Sequence, residues 1–442
     1  MDSKNIESKD ELKRDISFFP ALAMVMGTVI GSGVFFKPEA VYSITETAGL
    51  GLLAWLIGGL ITICGGLTAA ELSASIPETG GMVVYVRRAY GPLAGYMLGW
   101  AQTIIYFPAN IAALSIIFGT QVANLFDIRN SIIIPVAIIT AVFVMGMNFL
   151  GAKAGGILQS VTTVAKLIPL FLIVIFGFLH EGDVQLSLVP FSPENSSVIT
   201  SLGAGVLSAM FAYDGWIHVG NIAGEMKNPK KDLPKAIVLG LTGVMIVYLL
   251  INVAYLTVMP ASSIAATQTP ASDIANIIFG NFGSKLVTIG ILVSVFGTIN
   301  GYTMTGMRIP YSMALNNELP FSNWFRKLSK NKVPINGGIL TIIISIIMIF
   351  SGQFNQLTDM LIFVIWFFYI LIFIAVFIMR KKEPNLERPY KVPFSPFIPM
   401  IAILGGLYIL VSTLITQPLN AALGICLTLI GFPIYWYKKI RK

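Results

Sequence analysis

Two short strings place polar chemistry inside apolar sequence. They are Gly27-Thr28-Val29-Ile30-Gly31-Ser32-Gly33-Val34-Phe35 and Phe211-Ala212-Tyr213-Asp214-Gly215-Trp216. Glycine weakens a helix interior by about 1 kcal/mol relative to alanine, so Gly-Ser-Gly and Asp-Gly predict breaks. A break frees N–H groups at the start of one half-helix and carbonyls at the end of the other. At membrane depth such groups cannot face lipid and must line a cavity or meet a partner. N–H groups at a positive helix end suit a carboxylate, and carbonyls suit an ammonium group. A free α-amino acid carries both on one carbon. Gly27 and Gly31 also form a small-xxx-small pair, a face for close helix packing. The first string alone divides evenly between packing and a site.

Few ionisable groups lie at depth. An aspartate at mid-membrane costs at least about 2.5–3.5 kcal/mol on insertion scales, so Asp214 reads as functional by default. Two roles compete for it: a cap neutralised by hydrogen bonds to the unwound backbone, and a titrating group that couples protons. The cap is favoured. Lys166 is the one basic residue well inside a span. About 11 residues from the span's start it lies about 16 Å deep, too deep to snorkel with ease. It could alternatively shuttle a proton if burial lowers its pKa. His218 reads better as a hydrogen-bonded core histidine than as a relay. Asn300 can line a pocket or make an interhelical bond, and Tyr248 can reach Lys166 or the substrate region or simply pack. Glu71 suits pairing with a loop cation. Glu225 and Lys227 cap the end of span six.

The elements that must position these groups follow from composition. The chain has 442 residues, 55% hydrophobic and 11% charged, against about 25% charged in a soluble domain. That burial demand exceeds what a soluble fold can meet and marks a polytopic membrane protein. Twelve apolar segments are long enough to span: 16–42, 50–76, 94–124, 132–149, 155–179, 199–224, 236–259, 284–315, 336–352, 357–379, 397–416 and 418–437. The polar, mixed-charge start is not a signal peptide. With both ends cytosolic, 25 of the 29 basic residues fall on the cytosolic side, while Lys37, Arg129 and Lys285 fall outside. That asymmetry supports the span count and the orientation, and it accounts for the net charge of +8 without a nucleic acid partner. The two breaks open two successive five-span blocks, the sequence pointer to an inverted-repeat binding site. This moves the first string from packing toward a site. Cys64 and Cys426 give no disulfide framework or metal spacing. A phosphate-binding loop ending in Gly-Lys-Ser/Thr is absent, as are zinc spacing and a nucleophile triad, so neither an enzyme nor a cofactor is expected.

The chain resembles the amino acid–polyamine–organocation superfamily, and within it the L-amino-acid transporter family. The resemblance runs through Gly31-Ser32-Gly33-Val34-Phe35, Pro77-Glu78-Thr79-Gly80-Gly81, Phe211-Ala212-Tyr213-Asp214-Gly215-Trp216 and Gly224-Glu225-Met226-Lys227-Asn228-Pro229. It is closest to bacterial exchangers of the alanine–serine–cysteine or serine–threonine type. It implies an all-α fold of twelve spans: a five-plus-five inverted repeat over 16–179 and 199–379, with two extra helices at 397–437. Residues 1–15 and 438–442 are then cytosolic ends in a bacterial plasma membrane. It also implies alternating access around a fixed midplane site.

By that resemblance the N–H groups of Gly31, Ser32 and Gly33 hold the substrate carboxylate, with the Ser32 hydroxyl assisting. The carbonyls of Ile30, Phe211, Ala212 and Asp214 hold the ammonium group. Gly215 gives the unwound stretch its freedom, and Phe211 closes over the substrate as the outer gate. Asp214 departs from animal members, which tend to have glycine there. Relatives with sodium coupling hold the ion between spans one and eight, beside span five. A Lys166 ammonium there can replace it, implying sodium-independent transport of small neutral L-amino acids. The runner-up is a proton-coupled symporter, and a non-transporting receptor ranks lower for want of a signalling domain. The outer loop near 125–131 lacks the cysteine by which animal members join a glycoprotein, so no disulfide-linked heavy subunit is expected.

Overall fold

The computed structural model describes residues 17–76, 81–151, 162, 165–180, 184, 188–189, 193, 197–217 and 226–440. His218, Glu225 and residues 77–80 and 224 of the quoted motifs lie outside the described residues. Helices and their connections make up the described residues, with no sheet among them.

The first apolar segment is two helices, α1 (Phe18–Val29) and α2 (Gly33–Thr45), bent by 43° at the Gly-Ser-Gly string. Next come α3 (Ala48–Ser75), α4 (Met82–Tyr90) and α5 (Pro92–Phe126). They are followed by α6 (Ile133–Phe149), α7 (Leu167–Phe178) and α8 (Val198–Ala212). After them run α9 (Pro229–Val258), the short α10 (Ala261–Ala265), α11 (Pro270–Gly306) and α12 (Arg308–Leu315). The chain ends with α13 (Ser322–Phe325), α14 (Ile335–Ile349), α15 (Phe354–Lys382), α16 (Phe397–Thr416), α17 (Pro418–Leu429) and α18 (Gly431–Ile440). Among the described residues eight helical stretches are long and apolar enough to cross a membrane, α1 with α2 makes a ninth if the bent pair is one span, and α7, α8 and α14 are shorter apolar helices. Each overlaps one of the twelve expected segments. Within α11 two helices meet at a kink at Gly280, whose φ of 70° and ψ of −175° are outside helical values, and the second runs from near the start of the span expected from 284.

Local chemistry sets the ends. Thr47 Oγ1 accepts the Leu50 N–H at 3.3 Å to cap α3, and Ser197 Oγ accepts the Thr200 N–H at 3.2 Å to cap α8. Proline opens α5, α9, α11 and α17, where its missing N–H costs nothing. The broken helices occupy the centre: α2 lies against α8, α8 against α3, and α9 against both α3 and α1. The outer helices invert the soluble pattern. Phe397, Leu404 and Ile415 of α16 are exposed, whereas Asn110, Asn252 and Asn300 are buried. An apolar exterior over a hydrogen-bonded polar interior is the arrangement a bilayer requires.

Candidate functional site

The two breaks meet. Ile30 is extended, with ψ 90°, and its N–H closes α1 on the Met26 carbonyl at 2.8 Å. Gly33 then opens α2. The Ser32 and Gly33 N–H groups find no backbone acceptor among the described residues, and buried Ser32 Oγ has no partner. In the second break α8 stops at Ala212, Asp214 N–H reaches back to the Phe211 carbonyl at 3.4 Å, and Gly215 takes φ +101°. A Cβ on Gly33 would stand 2.6 Å from Ala212 Cα, and one on Gly215 would stand 3.1 Å from the Thr28 carbonyl oxygen. Each break therefore packs backbone against the other through a glycine. The Tyr248 hydroxyl of α9 sits between them, 2.9 Å from both the Val29 and the Ala212 carbonyl oxygens. One hydroxyl proton serves one carbonyl at a time.

Asp214 is buried, and its carboxylate draws donors from three other helices. The Tyr369 hydroxyl of α15 donates to Oδ1 at 2.9 Å, the Tyr302 hydroxyl of α11 lies 3.5 Å from Oδ2, and the Tyr106 hydroxyl of α5 donates to Oδ2. The Gly215 N–H faces it from the break itself. Tyr106 ends a π-helical turn, Gln102–Tyr106, set inside α5; such turns re-aim side chains at functional sites. The donors to this carboxylate are thus mainly phenols, where the cap reading from the sequence names unwound backbone.

Lys166 precedes α7 and is buried, and its Nζ donates to the Gly27 carbonyl in the last turn of α1. A cation at a helix C-terminus meets unpaired carbonyls and the negative dipole end. Thr162, one turn earlier, fills the notch at Gly297 of α11. The Phe211 ring packs edge-on against Phe354 at 5.5 Å. Asn300 instead makes an interhelical bond, its Oδ1 accepting from Asn148 Nδ2 at 2.9 Å.

The family model described as amino acid permease matches residues 16–433. The chain belongs to the amino acid permease family. The serine/threonine exchanger SteT of Bacillus subtilis (strain 168) is 40% identical to this permease over 98% of each chain. The cystine/glutamate transporter of Homo sapiens is 31% identical over 98% of the permease and 88% of its own length. The Asc-type amino acid transporter 1 of Mus musculus is 28% identical, over 96% and 81%.

Sequence reasoning missed the partners of one charged group of the permease. The charge count puts Lys37 on the outer side, and in the structure it is 0% exposed on α2. Its Nζ donates to Asp359 Oδ1 at 2.9 Å and Asn355 Oδ1 at 3.1 Å on α15, and it lies 5.7 Å from the Phe211 ring centroid and 5.3 Å from that of Phe354. Asp359 Oδ2 also accepts from Gln417 Nε2 at 3.1 Å, and Asn355 Nδ2 donates to Glu39 at 3.1 Å. At the other end Glu71 of α3 binds Arg380 through both oxygens, at 2.7 and 2.6 Å, and accepts the Val392 N–H at 2.8 Å. Beside it Arg88 holds Glu383 with two bonds of 2.9 and 2.6 Å, which keeps that carboxyl below the usual carboxylate range. Lys227 is exposed.

Proposed function

We propose that this permease exchanges small neutral L-amino acids (alanine, serine, cysteine and threonine) across the plasma membrane, without sodium and by alternating access. The observation that carries this reading is the meeting of the two breaks, which gathers free N–H groups and half-satisfied carbonyls at one buried point. The orphan N–H groups near Ser32 and Gly33 suit a carboxylate. The carbonyls of Ile30, Phe211, Ala212 and Asp214 belong to the two breaks and would suit an ammonium group. Likeness to a serine/threonine exchanger at 40% identity supports both the substrate class and antiport. Phe211, next to the break and packed edge-on against Phe354, serves as the outer gate.

Lys166 supports sodium independence, because its ammonium already occupies a carbonyl at the end of α1. Asp214, ringed by hydroxyl donors, serves as a structural cap. The five-plus-five repeat, cytosolic termini and a bacterial inner-membrane location complete the reading. The permease works without a disulfide-linked partner, since Cys64 and Cys426 lie on α3 and α17 rather than in an outer loop.

The test is uptake of labelled L-serine into sodium-free proteoliposomes with no pH gradient, either preloaded with L-alanine or empty. Uptake confined to loaded vesicles is expected. Equal uptake into both would refute exchange and turn attention to an imposed proton gradient. Lys166→Ala should abolish the flux while the protein stays inserted; wild-type flux in that variant would remove the cation-replacement argument.

A further inference from the structure

A second site lies far from the breaks, where the turn after α12 meets the last turn of α18. There a surface cleft of about 470 Å³ is lined by Asn317, Phe321, Asn323, Trp324, Lys327 and Lys438. Its two cations are free: among the described residues neither Lys327 nor Lys438 has an ion-pair or hydrogen-bond partner through its ammonium. Two other nearby charged groups already have partners. Arg326 Nε donates to the Ala314 carbonyl at 2.8 Å, and Glu318 is held by Arg87 at 2.5 Å. Among the described residues the cleft therefore keeps a net positive charge with nothing of its own to neutralise it.

Its walls are mixed: beside the polar Asn317, Ser322 and Asn323 stand two exposed aromatic rings. Phe321 is 81% exposed and Trp324 is 42% exposed, an expense that water alone would not repay. The walls are also held in place. Phe325, next to Trp324, is buried in a cluster with Tyr96, Trp100, Met313 and Leu319. Asn336 Nδ2 holds the Trp324 carbonyl at 2.6 Å. The Tyr96 ring lies 5.0 Å from that of Tyr435, which pins α18 and so the helix that carries Lys438. The level is that of lipid headgroups. Trp436 and Tyr437 are exposed just before Lys438, and Lys439 Nζ stands 5.5 Å over the Trp436 ring. Aromatic rings followed by lysines mark a membrane–water boundary.

We propose that this cleft binds an anionic phospholipid of the cytosolic leaflet. Lys327 and Lys438 hold its phosphate, the amides of Asn317 and Asn323 lie beside the glycerol, and Phe321 and Trp324 pack on the start of the acyl chains. Basic pockets between helix ends on this side suit such headgroups. The leaflet assignment rests on the orientation proposed above, while binding itself does not.

The test uses the full-length permease purified in an uncharged detergent. Native mass spectrometry would follow titration with phosphatidylglycerol or phosphatidylcholine of matched acyl chains. Tighter binding of phosphatidylglycerol is expected. Lys327→Gln with Lys438→Gln should weaken it about thirtyfold, about fivefold per lysine, with phosphatidylcholine binding and melting temperature unchanged. A control pair, Lys227→Gln with Lys231→Gln, should leave the preference intact. Equal binding of the two lipids, a preference that survives the Lys327/Lys438 double variant, or the same loss in the control pair would overturn the proposal. Full displacement by millimolar inorganic phosphate would assign the cleft to a free anion and also overturn it. Serine exchange measured on the same preparations separates failure of this site from failure of the exchange reading.

Discussion

Replacing Gly33 by alanine tests whether the two breaks touch as described. The new Cβ would stand 2.6 Å from Ala212 Cα, 2.8 Å from its Cβ and 3.1 Å from its nitrogen. Carbon pairs rest at about 3.5–4.0 Å, so α2 and α8 must part by about 1 Å. Two of the three opposing atoms are backbone, and no rotamer change relieves them. Overpacking of this kind costs about 1–3 kcal/mol. A displacement of about 1 Å at a binding point can lower turnover about 100-fold. Gly33→Ala should therefore melt at a lower temperature in detergent and lose about two orders of magnitude in the kcat/KM of serine exchange. Gly31→Ala supplies the comparison, because its Cβ would meet Thr298 Cγ2 at an ordinary 3.4 Å. Neither glycine has a positive φ, so backbone strain does not confound the pair. Gly31→Ala should melt close to wild type. Wild-type melting and exchange in Gly33→Ala, or an equal loss of stability in Gly31→Ala, would refute the contact.

Lys37→Met alone leaves Asp359 buried without its cation and should destabilise the permease by about 3–5 kcal/mol, whereas Lys37→Met with Asp359→Leu should regain most of that; additive losses in thermal melts would contradict a direct pair. Asp214→Asn keeps a carbonyl oxygen for one phenol and gives up hydrogen bonds to a charged group, worth about 1.5–3 kcal/mol each. It should lower the melting temperature yet retain most serine exchange, while loss of exchange together with its pH dependence would assign Asp214 a titrating role. Glu383 is a carboxyl whose pKa the folded state depresses, so its contribution is complete above the unfolded value and fades as pH falls through the folded one. The pair is partly exposed and worth about 1 kcal/mol or less. The small melting difference between wild type and Glu383→Gln should hold from neutral pH to about pH 5 and shrink below the ordinary carboxylate range; a difference that grows on acidification would contradict the Arg88 pairing.

The helical frame was legible because each span is a long apolar run, and the breaks because glycine beside a polar residue is costly inside one. Glu71 was readable as half of an ion pair, since a carboxylate near a span's end needs a cation, and Arg380 supplies it. The short helix before Gly280 lay outside the twelve segments because Asp273 and Asn276 dilute its apolar signal. Lys37 and Asp359 lie 322 positions apart, and each alone reads as a charge at the edge of its span. The phenols around Asp214 carry no local signature, for Tyr106, Tyr302 and Tyr369 are three of 15 tyrosines. Only the packing of α5, α11 and α15 around the second break brings them together.

The reciprocal glycine contacts have an evolutionary side. Gly33 leaves room for Ala212, and Gly215 leaves room for the backbone at Thr28, so neither half of the chain holds its break independently. A larger residue at 33 is tolerable only where 212 recedes, and one at 215 only where the turn at 28 moves away. Drift at these four positions is therefore tied in pairs across the two halves, and descendants that lose the glycine of one repeat should carry a matching change in the other.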